Sequence, residues 1–387
     1  MESTVYDYAI IGAGAAGLHL ALALSEDPFF RSKRLLILEK DPERNTYPTW
    51  CFWEKGKGKW DHIISKSWNK TIFTGQDGTS LNLDLGAYTY KMVNGKDFYR
   101  EAQRKLKDSE QTTWTRGEVI EVIQGRPNRI KAKSGDEYMA NHVFDSRIDP
   151  DFFEERGQYS YLKQHFEGWV IETKEEVFDQ DVFTMMDYRL VYPGTTSFTY
   201  ILPFSPDKAL VEYTFFSPDL VEKDIYQHYL KWYIKDFLQV DDYKVISTES
   251  GVIPMTDYPF HQHNNEYLTK IGTAGGWVKG STGYSFKNAE RKSQKILDNL
   301  RNNKIPGSQM SENRFRAYDT LFLDVLYSHN ERGPAIFRDM YQKNDIETIF
   351  SFLDEETSIR KEIKIMNTFD RWLFFKVALK HLLASNY

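Results

Sequence analysis

The 387-residue sequence predicts an α/β protein, and three observations carry that prediction. A short apolar run, Val5–Ile11, enters a glycine turn and continues, over Leu18–Leu24, with apolar positions at helical spacing. A second buried strand, Leu35–Leu38, closes on Glu39-Lys40 and completes a βαβ unit, hence a parallel pair of strands. Far downstream, residues 160–216 are rich in β-branched and aromatic residues with turn signals such as Pro193-Gly194, which predicts an antiparallel sheet.

The remaining elements follow in order. Ser25–Arg34 breaks the first helix. Asp97–Lys107 (DFYREAQRKLK) has helical spacing with Asp97 as its cap, and Val119–Ile123 and Val143–Phe144 read as strands. From about residue 285 the pattern turns helical, opening with KNAERKSQKILDNL and ending in RWLFFKVALKHLL. No internal repeat, low-complexity tract or flexible linker is evident, so the domains are expected to interleave in sequence.

Composition narrows the function classes. The length allows two or three domains with a sizeable core. Fifty basic against 56 acidic residues, a net charge of −6 and a pI near 5.9 offer no broad basic surface, so nucleic acid is not an expected partner. The one cysteine, Cys51, cannot form an intramolecular disulfide, which fits a reducing cytosol, and it reads as a small buried hydrophobe. The N-terminus lacks the charged and apolar regions of a signal peptide, and Ala9–Leu24 is too short and too glycine-punctuated to span a membrane. An aromatic content of 15% suits a large hydrophobic or π-rich ligand, although rich cores show it too.

Gly12-Ala13-Gly14-Ala15-Ala16-Gly17 is GxGxxG placed between a strand and a helix, the context that makes it informative. The first glycine permits the tight turn, the second lets backbone approach a pyrophosphate, and the third lets helix and sheet pack closely. The helix N-terminus then presents N–H groups and positive dipole to phosphate. Glu39, after the second strand with Lys40 beside it, stands where an acid binds ribose hydroxyls, favouring FAD or NAD over NADP. A second glycine-rich segment, Ile271–Phe286 (IGTAGGWVKGSTGYSF), precedes a helix and tips the choice to FAD, with Gly275, Gly276, Ser281, Thr282, Gly283 and Tyr284 as flavin-side candidates. The fold expected is therefore a Rossmann-type FAD-binding domain of the glutathione-reductase/hydroxylase-like flavoprotein class, with an interleaved antiparallel β-sheet substrate domain and a C-terminal helical region.

Residues 210–217, LVEYTFFS, pose a separate question. Alternation along a strand points Val211, Tyr213 and Phe215 one way and Leu210, Glu212, Thr214 and Phe216 the other. Taken alone, the segment fits an exposed face on which Glu is ordinary. If that face is buried, Glu212 is a carboxyl among apolar neighbours that must stay protonated or find a partner.

Several segments together resemble the bacterial lycopene β-cyclases of carotenoid biosynthesis: Thr49-Trp50-Cys51-Phe52-Trp53, Val143-Phe144-Asp145-Ser146-Arg147, Phe183–Asp187, Leu202–Ser205, Gly251–Met255, and Gly275-Gly276 with Ser281–Tyr284. They occur in family order over most of the chain, and the tail segments Phe315–Tyr327 and Ile349–Asp354 are similar as well. The resemblance implies a monotopic or peripheral membrane protein on the cytoplasmic face. It implies a reduced FAD, with NADPH or NADH as electron source, and conversion of the acyclic ends of lycopene or related acyclic carotenoids into β-ionone rings without net redox change. It places Asp145 at the cofactor and the family's essential acid at Glu212. Tyr213 stands where the family has a second acid.

On this reading Glu212 protonates a terminal alkene or stabilises the resulting cation, a role the anionic reduced flavin could share. Trp50, Trp53, Tyr192 and Phe216 are candidates to line the channel, each equally at home in a core. Arg371–Leu383 combines aromatic and basic residues suited to a headgroup boundary or to a packed terminal helix. His261-Gln262-His263 has one metal-ligand spacing without further ligands, so no metal is expected, and Lys55–Lys59 (KGKGK) lacks a phosphate-loop pattern. The expected division is an FAD domain of residues 1–60, 90–148 and 265–300, a substrate domain of 61–89 and 149–264, and a helical region of 301–387. The alternatives are a redox flavoenzyme on the same fold, a monooxygenase or prenyl reductase acting on an isoprenoid, and a non-catalytic lipid binder that keeps FAD.

Overall fold

The computed structural model describes residues 4–43 and 47–384, with the side chains of Arg156 and of 380–384 left aside. The first three residues of the N-terminal reading, and the side chains of Lys380, Leu382 and Leu383 in the terminal helix, therefore lie outside the described residues.

The chain opens with β1 (Val5–Ile11), α1 (Ala15–Glu26) and β2 (Leu35–Glu39). β3 (Thr49–Lys55), β4 (Ile64–Trp68), β5 (Lys70–Thr74), β6 (Ser80–Asp84) and β7 (Tyr88–Asn94) lead to α2 (Gly95–Lys107). Next come β8 (Thr112–Arg116), β9 (Val119–Ile123), β10 (Asn128–Ala132), β11 (Glu137–Asp145) and α3 (Pro150–Glu155). β12 (Tyr161–Thr173), β13 (Val182–Asp187), β14 (Thr196–Ser205), β15 (Lys208–Ser217), α4 (Lys223–Asp236), β16 (Tyr243–Thr256) and β17 (Leu268–Lys270) follow. The rest is helical: α5 (Phe286–Arg301), α6 (Asn313–Ser328), α7 (Gly333–Lys343), α8 (Ile346–Leu353), α9 (Ile359–Met366) and α10 (Arg371–Ala384). α2 begins before the expected Asp97, because the Asn94 side chain caps it by accepting the Lys96 N–H.

The first sheet has the order β8-β2-β1-β11-β10-β9, with β17 beside β11. Its centre is parallel, as the βαβ reading requires, and β9 and β10 add an antiparallel edge. Buried Ile10 and Ile37 pack on Leu18 and Leu22 of α1, Phe98 of α2 and Ile296 of α5 to form the core of this half.

The second sheet runs β16-β12-β15-β14-β13-β5-β6. Neighbours are antiparallel except β13 and β5, which pair in parallel because an early segment of the chain returns to the outer edge. β15 is buried from Ala209 to Ser217, covered on both faces. Val211, Tyr213 and Phe215 pack against Tyr226, Tyr229 and Leu230 of α4. Leu210 and Phe216 belong to a different core, shared with Leu323 of α6, Phe337 of α7 and Phe350 of α8.

The small third sheet, β3-β7-β4, separates the halves. Along β3, Trp50 and Phe52 join the first core, while Cys51 and Trp53 join the core beneath the second sheet. Strand alternation thus gives each half one face of the same divider.

Candidate active site

The glycine turn leaves open space at the start of α1. Gly12 has φ +95°, and a Cβ there would stand 2.1 Å from Ser146 Oγ. A Cβ on Gly17 would stand 2.0 Å from the Gly12 carbonyl oxygen, so this glycine is what lets α1 pack on its own turn. At Gly14 the space is open, and no side chain caps α1, whose first turn carries Ala15 and Ala16. That combination fits a pyrophosphate lying against backbone N–H groups. The buried Glu39 carboxylate accepts the Ala13 N–H at 2.6 Å and the Asp41 N–H at 3.0 Å, and Lys40 is exposed. Glu39 is thereby held against the same turn. The second glycine segment meets the first: Gly272 has φ +62°, and a Cβ on it would approach the Ala16 Cβ to 3.2 Å.

Asp145 is buried, and its carboxylate is engaged by Arg147 Nε and Nη2 at 3.0 Å each and by Lys270 Nζ at 3.2 Å. Its visible work is to tie the end of β11 to β17. The side chain beside the glycine turn is that of its neighbour, Ser146, whose Oγ donates to the Ile11 carbonyl at 2.7 Å.

The second sheet, β3, the second glycine segment and the C-terminal helices enclose a cavity of about 1210 Å³. Trp50, Thr273, Ser281, Thr282, Gly283, Tyr284 and Phe286 line it from β3 and the second glycine segment. Gln164 Oε1 is buried beside Gly283 without a hydrogen-bond partner among the described residues, an acceptor left for a bound group. Phe337, Met340, Phe352, Met366, Phe369, Arg371 and Phe374 line it from the helical region. Gly275 and Gly276 border a second, more polar cavity of about 1000 Å³ across Thr273 and Val278.

Glu212 lines the first cavity together with Leu210, Thr214 and Phe216, as strand alternation requires. It is 7% exposed, and its carboxyl meets no cation; Thr214 Oγ1 donates to Oε1 at 2.6 Å. Burial first, and the nearby Glu249 carboxyl second, push its pKa up to about 8, against a smaller downward pull from Thr214. The carboxyl is therefore mainly protonated at pH 7. The Tyr90 hydroxyl is bonded to those of Tyr200 at 2.8 Å and Tyr284 at 2.9 Å, and burial raises all three phenols, so they are neutral. Burial also pushes the Cys51 thiol up to about 12.

Of the aromatic candidates, Trp50, Trp53 and Phe216 line this cavity, Trp53 stacked on Phe350 with ring centroids 4.5 Å apart. Tyr192 is a correction. Its ring packs on Phe215 and Tyr229, on the α4 side of the sheet, because the turn after β13 carries it around to that face.

His263 lies near Asp149 and Asp151, the ligand atoms within 4.8 Å of one another, but Lys270 Nζ already stands 3.7 Å from Asp149. This cluster carries no metal reading.

The sequence matches the family model described as lycopene cyclase protein over residues 7–377. The chain belongs to the lycopene cyclase family. No curated protein sequence matches it. Among solved structures, this cyclase-family chain is similar to a geranylgeranyl bacteriochlorophyll reductase-like protein from Thermoplasma acidophilum, at 14% identity over 94% of this chain and 96% of that one, with a TM-score of 0.61. It is similar to the flavin-dependent brominase Bmp2 at 14% identity over 99% of both chains, TM-score 0.57. It is also similar to p-nitrophenol 4-monooxygenase from Pseudomonas putida, at 11% identity over 96% and 99%, TM-score 0.55. At these identities the likeness is one of fold, and the fold is that of flavoproteins.

Sequence reasoning missed two polar features of this cyclase-family cavity. Tyr90 and Tyr200 join Tyr284 from β7 and β14, and Glu249 reaches the cavity from β16. The available signal for Glu249 was an acid two residues before the Gly251–Met255 segment, just outside what had been singled out.

Proposed function

We propose that this chain is a lycopene β-cyclase, closing the acyclic ends of lycopene to β-ionone rings by way of γ-carotene to β-carotene. The observation that carries the reading is a buried carboxyl, 7% exposed, on the wall of a large cavity lined by aromatic rings. At about 1210 Å³ the cavity exceeds the roughly 300–1,000 Å³ of ordinary small-molecule pockets, as a C40 hydrocarbon requires.

Glu212 donates its proton to the terminal trisubstituted alkene, giving a tertiary cation that the neighbouring double bond attacks to close the ring. The dry walls keep water from capturing the cation, and Trp50, Trp53 and Phe216 present rings that stabilise positive charge. The Gly12–Gly17 cradle, Glu39 and the Ser281–Tyr284 segment would hold FAD, Gln164 adding an acceptor at the flavin end. FAD held there in reduced form, with NADPH or NADH as the electron source, would supply negative charge that stabilises the developing cation.

The helical wall of the cavity supports docking on a membrane surface. Phe369, Arg371 and Phe374 line the cavity, and in the same stretch of helices Ile359, Trp372 and Phe375 are 58–64% exposed, with Lys376 over the Trp372 ring. Exposed aromatics with basic residues suit a headgroup boundary. Among the described residues no helix is long and apolar enough to cross a bilayer.

Expression in lycopene-accumulating bacteria with chromatography of the pigments tests the reading: cyclised carotenoid is expected, and untouched lycopene would sink it. The flavoprotein fold favours one other reading, a redox enzyme on an isoprenoid. That enzyme would oxidise NAD(P)H in step with product, whereas a cyclase would not.

A further inference from the structure

Glu212 and Glu249 stand on the same face of the second sheet, two strands apart. The strand between them is β12, and both acids are in register with the same residue of it, Gly168. Two strand spacings separate the backbones by about 9.6 Å. Because residue 168 is glycine, no side chain fills the interval: a Cβ there would stand 3.3 Å from Glu212 Cβ, 3.4 Å from Glu249 Cγ and 3.0 Å from Leu210 Cδ1. The glycine is not needed for backbone conformation, since its φ is not positive. It is needed for space between two carboxyls.

The two acids differ in surroundings. Glu212 is buried on the interior strand β15, whereas Glu249 is half-buried on the edge strand β16, where Thr248 and Ser250 are exposed. Burial raises the Glu249 carboxyl and the Thr49 hydroxyl holds it down. Around the pair, the titratable groups are Cys51 from β3, Tyr90 from β7, Tyr200 from β14 and Tyr284 from the glycine segment, all kept neutral by burial. The other ionisable groups lining the cavity are Tyr47, Tyr341, Tyr318, bonded to Glu362, Asp319, paired with Lys279, and Arg371. Coulomb repulsion between the two carboxyls disfavours ionising both, and Glu249, on the edge strand, is the member with more access to solvent.

We infer that Glu249 is the base of the cyclisation, taking the ring proton that Glu212 does not. The inference rests on the reading of Glu212 as the acid that protonates the alkene. In the step, the Glu212 O–H bond breaks and a C–H bond forms at the terminal alkene carbon. The ring then closes, and a ring C–H bond breaks with its electron pair forming the new double bond and its proton passing to Glu249. The proton returns from Glu249 to Glu212 across the gap at Gly168, so nothing is consumed and the site resets. The exposed side of Glu249 also exchanges that proton with water.

The test is the pH dependence of lycopene cyclisation in vesicles by the FAD-loaded enzyme. The wild type is expected to give a bell, with an acid limb as Glu249 is protonated and an alkaline limb as Glu212 ionises. Glu249→Gln should lower kcat at least thirtyfold at unchanged KM and abolish the acid limb, while Glu249→Asp, which keeps the charge, retains the limb at reduced rate. Gly168→Ala, crowding the interval, should lower kcat about tenfold with FAD still bound. Wild-type kcat and an intact acid limb in Glu249→Gln overturn the inference while leaving the cyclase reading standing; failure of the wild type to cyclise lycopene overturns that reading first. If Glu249→Gln does not retain FAD, Glu249→Asp and Gly168→Ala decide, and loss of the acid limb in Glu249→Asp, or wild-type kcat in Gly168→Ala, overturns it.

Discussion

The two faces of β15 are equally dry and differently satisfied. Toward α4, the Tyr213 hydroxyl donates to the Leu190 carbonyl at 3.1 Å and meets Ser197 Oγ at 3.1 Å, so the polar atom on that face is fully committed. Toward the cavity, Glu212 has one hydroxyl and a second acid for company. A core buries polar groups only with partners. A carboxyl in the same strand with no cation partner among the described residues costs stability, and on the proposed reading that cost serves reactivity. The contrast separates structure from function one residue apart.

The sharpest way to break it is Glu212→Gln, which keeps the shape and removes the proton donor. Cyclisation is expected to fall by about a thousandfold or more, with FAD retained, as read by pigment chromatography and flavin absorbance. The same variant tests the strain. An acid whose folded pKa is raised from 4.5 to about 8 loses stability as pH climbs through that window, because the unfolded chain sheds its proton first. The wild type should therefore lose on the order of a few kcal/mol on this account between pH 4.5 and 8, and Glu212→Gln should not. Parallel pH–melting curves for the two proteins would contradict the burial argument.

How much of this was legible follows from where the information lies. β1, the turn, α1 and β2 were readable because a buried parallel strand and a glycine fingerprint are local patterns, and so was the opposition of Glu212 to Tyr213, which needs only a period of two. Glu249 was not, because its meeting with Glu212 passes through the register of β12 with both β15 and β16, strands drawn from three separate stretches of sequence. Tyr192 was misplaced for a similar reason: a turn sets which face it joins, and composition does not. Asn94 displaced Asp97 as the α2 cap because both are good caps and only the backbone decides between them.

On the satisfied face, Tyr213→Phe removes a hydroxyl that serves Leu190 and Ser197 and leaves the ring in place against Phe215 and Tyr229. Stability should drop by about 1–3 kcal/mol, through the acceptors left unpaired, while kcat stays within about twofold of wild type. Denaturant unfolding and turnover read the two sides separately. A large loss of turnover with little loss of stability would reverse the assignment of faces, and would return the family's second acidic position to the chemistry.

The finest test lies on the reactive face itself, at Thr214. Its hydroxyl donates to Glu212 Oε1 at 2.6 Å and favours the ionised carboxyl, working against burial and Glu249. Thr214→Val removes the donor at nearly constant volume. Without it the protonated form gains ground, so the alkaline limb of the cyclisation profile should move upward. A neutral hydrogen bond worth about 0.5–1.5 kcal/mol corresponds to roughly half to one pH unit. The rate below that limb should change little, since the acid is already protonated there. A downward movement of the limb would mean that the hydroxyl serves the protonated carboxyl as an acceptor, and that Thr214 holds Glu212 ready to donate instead of restraining it.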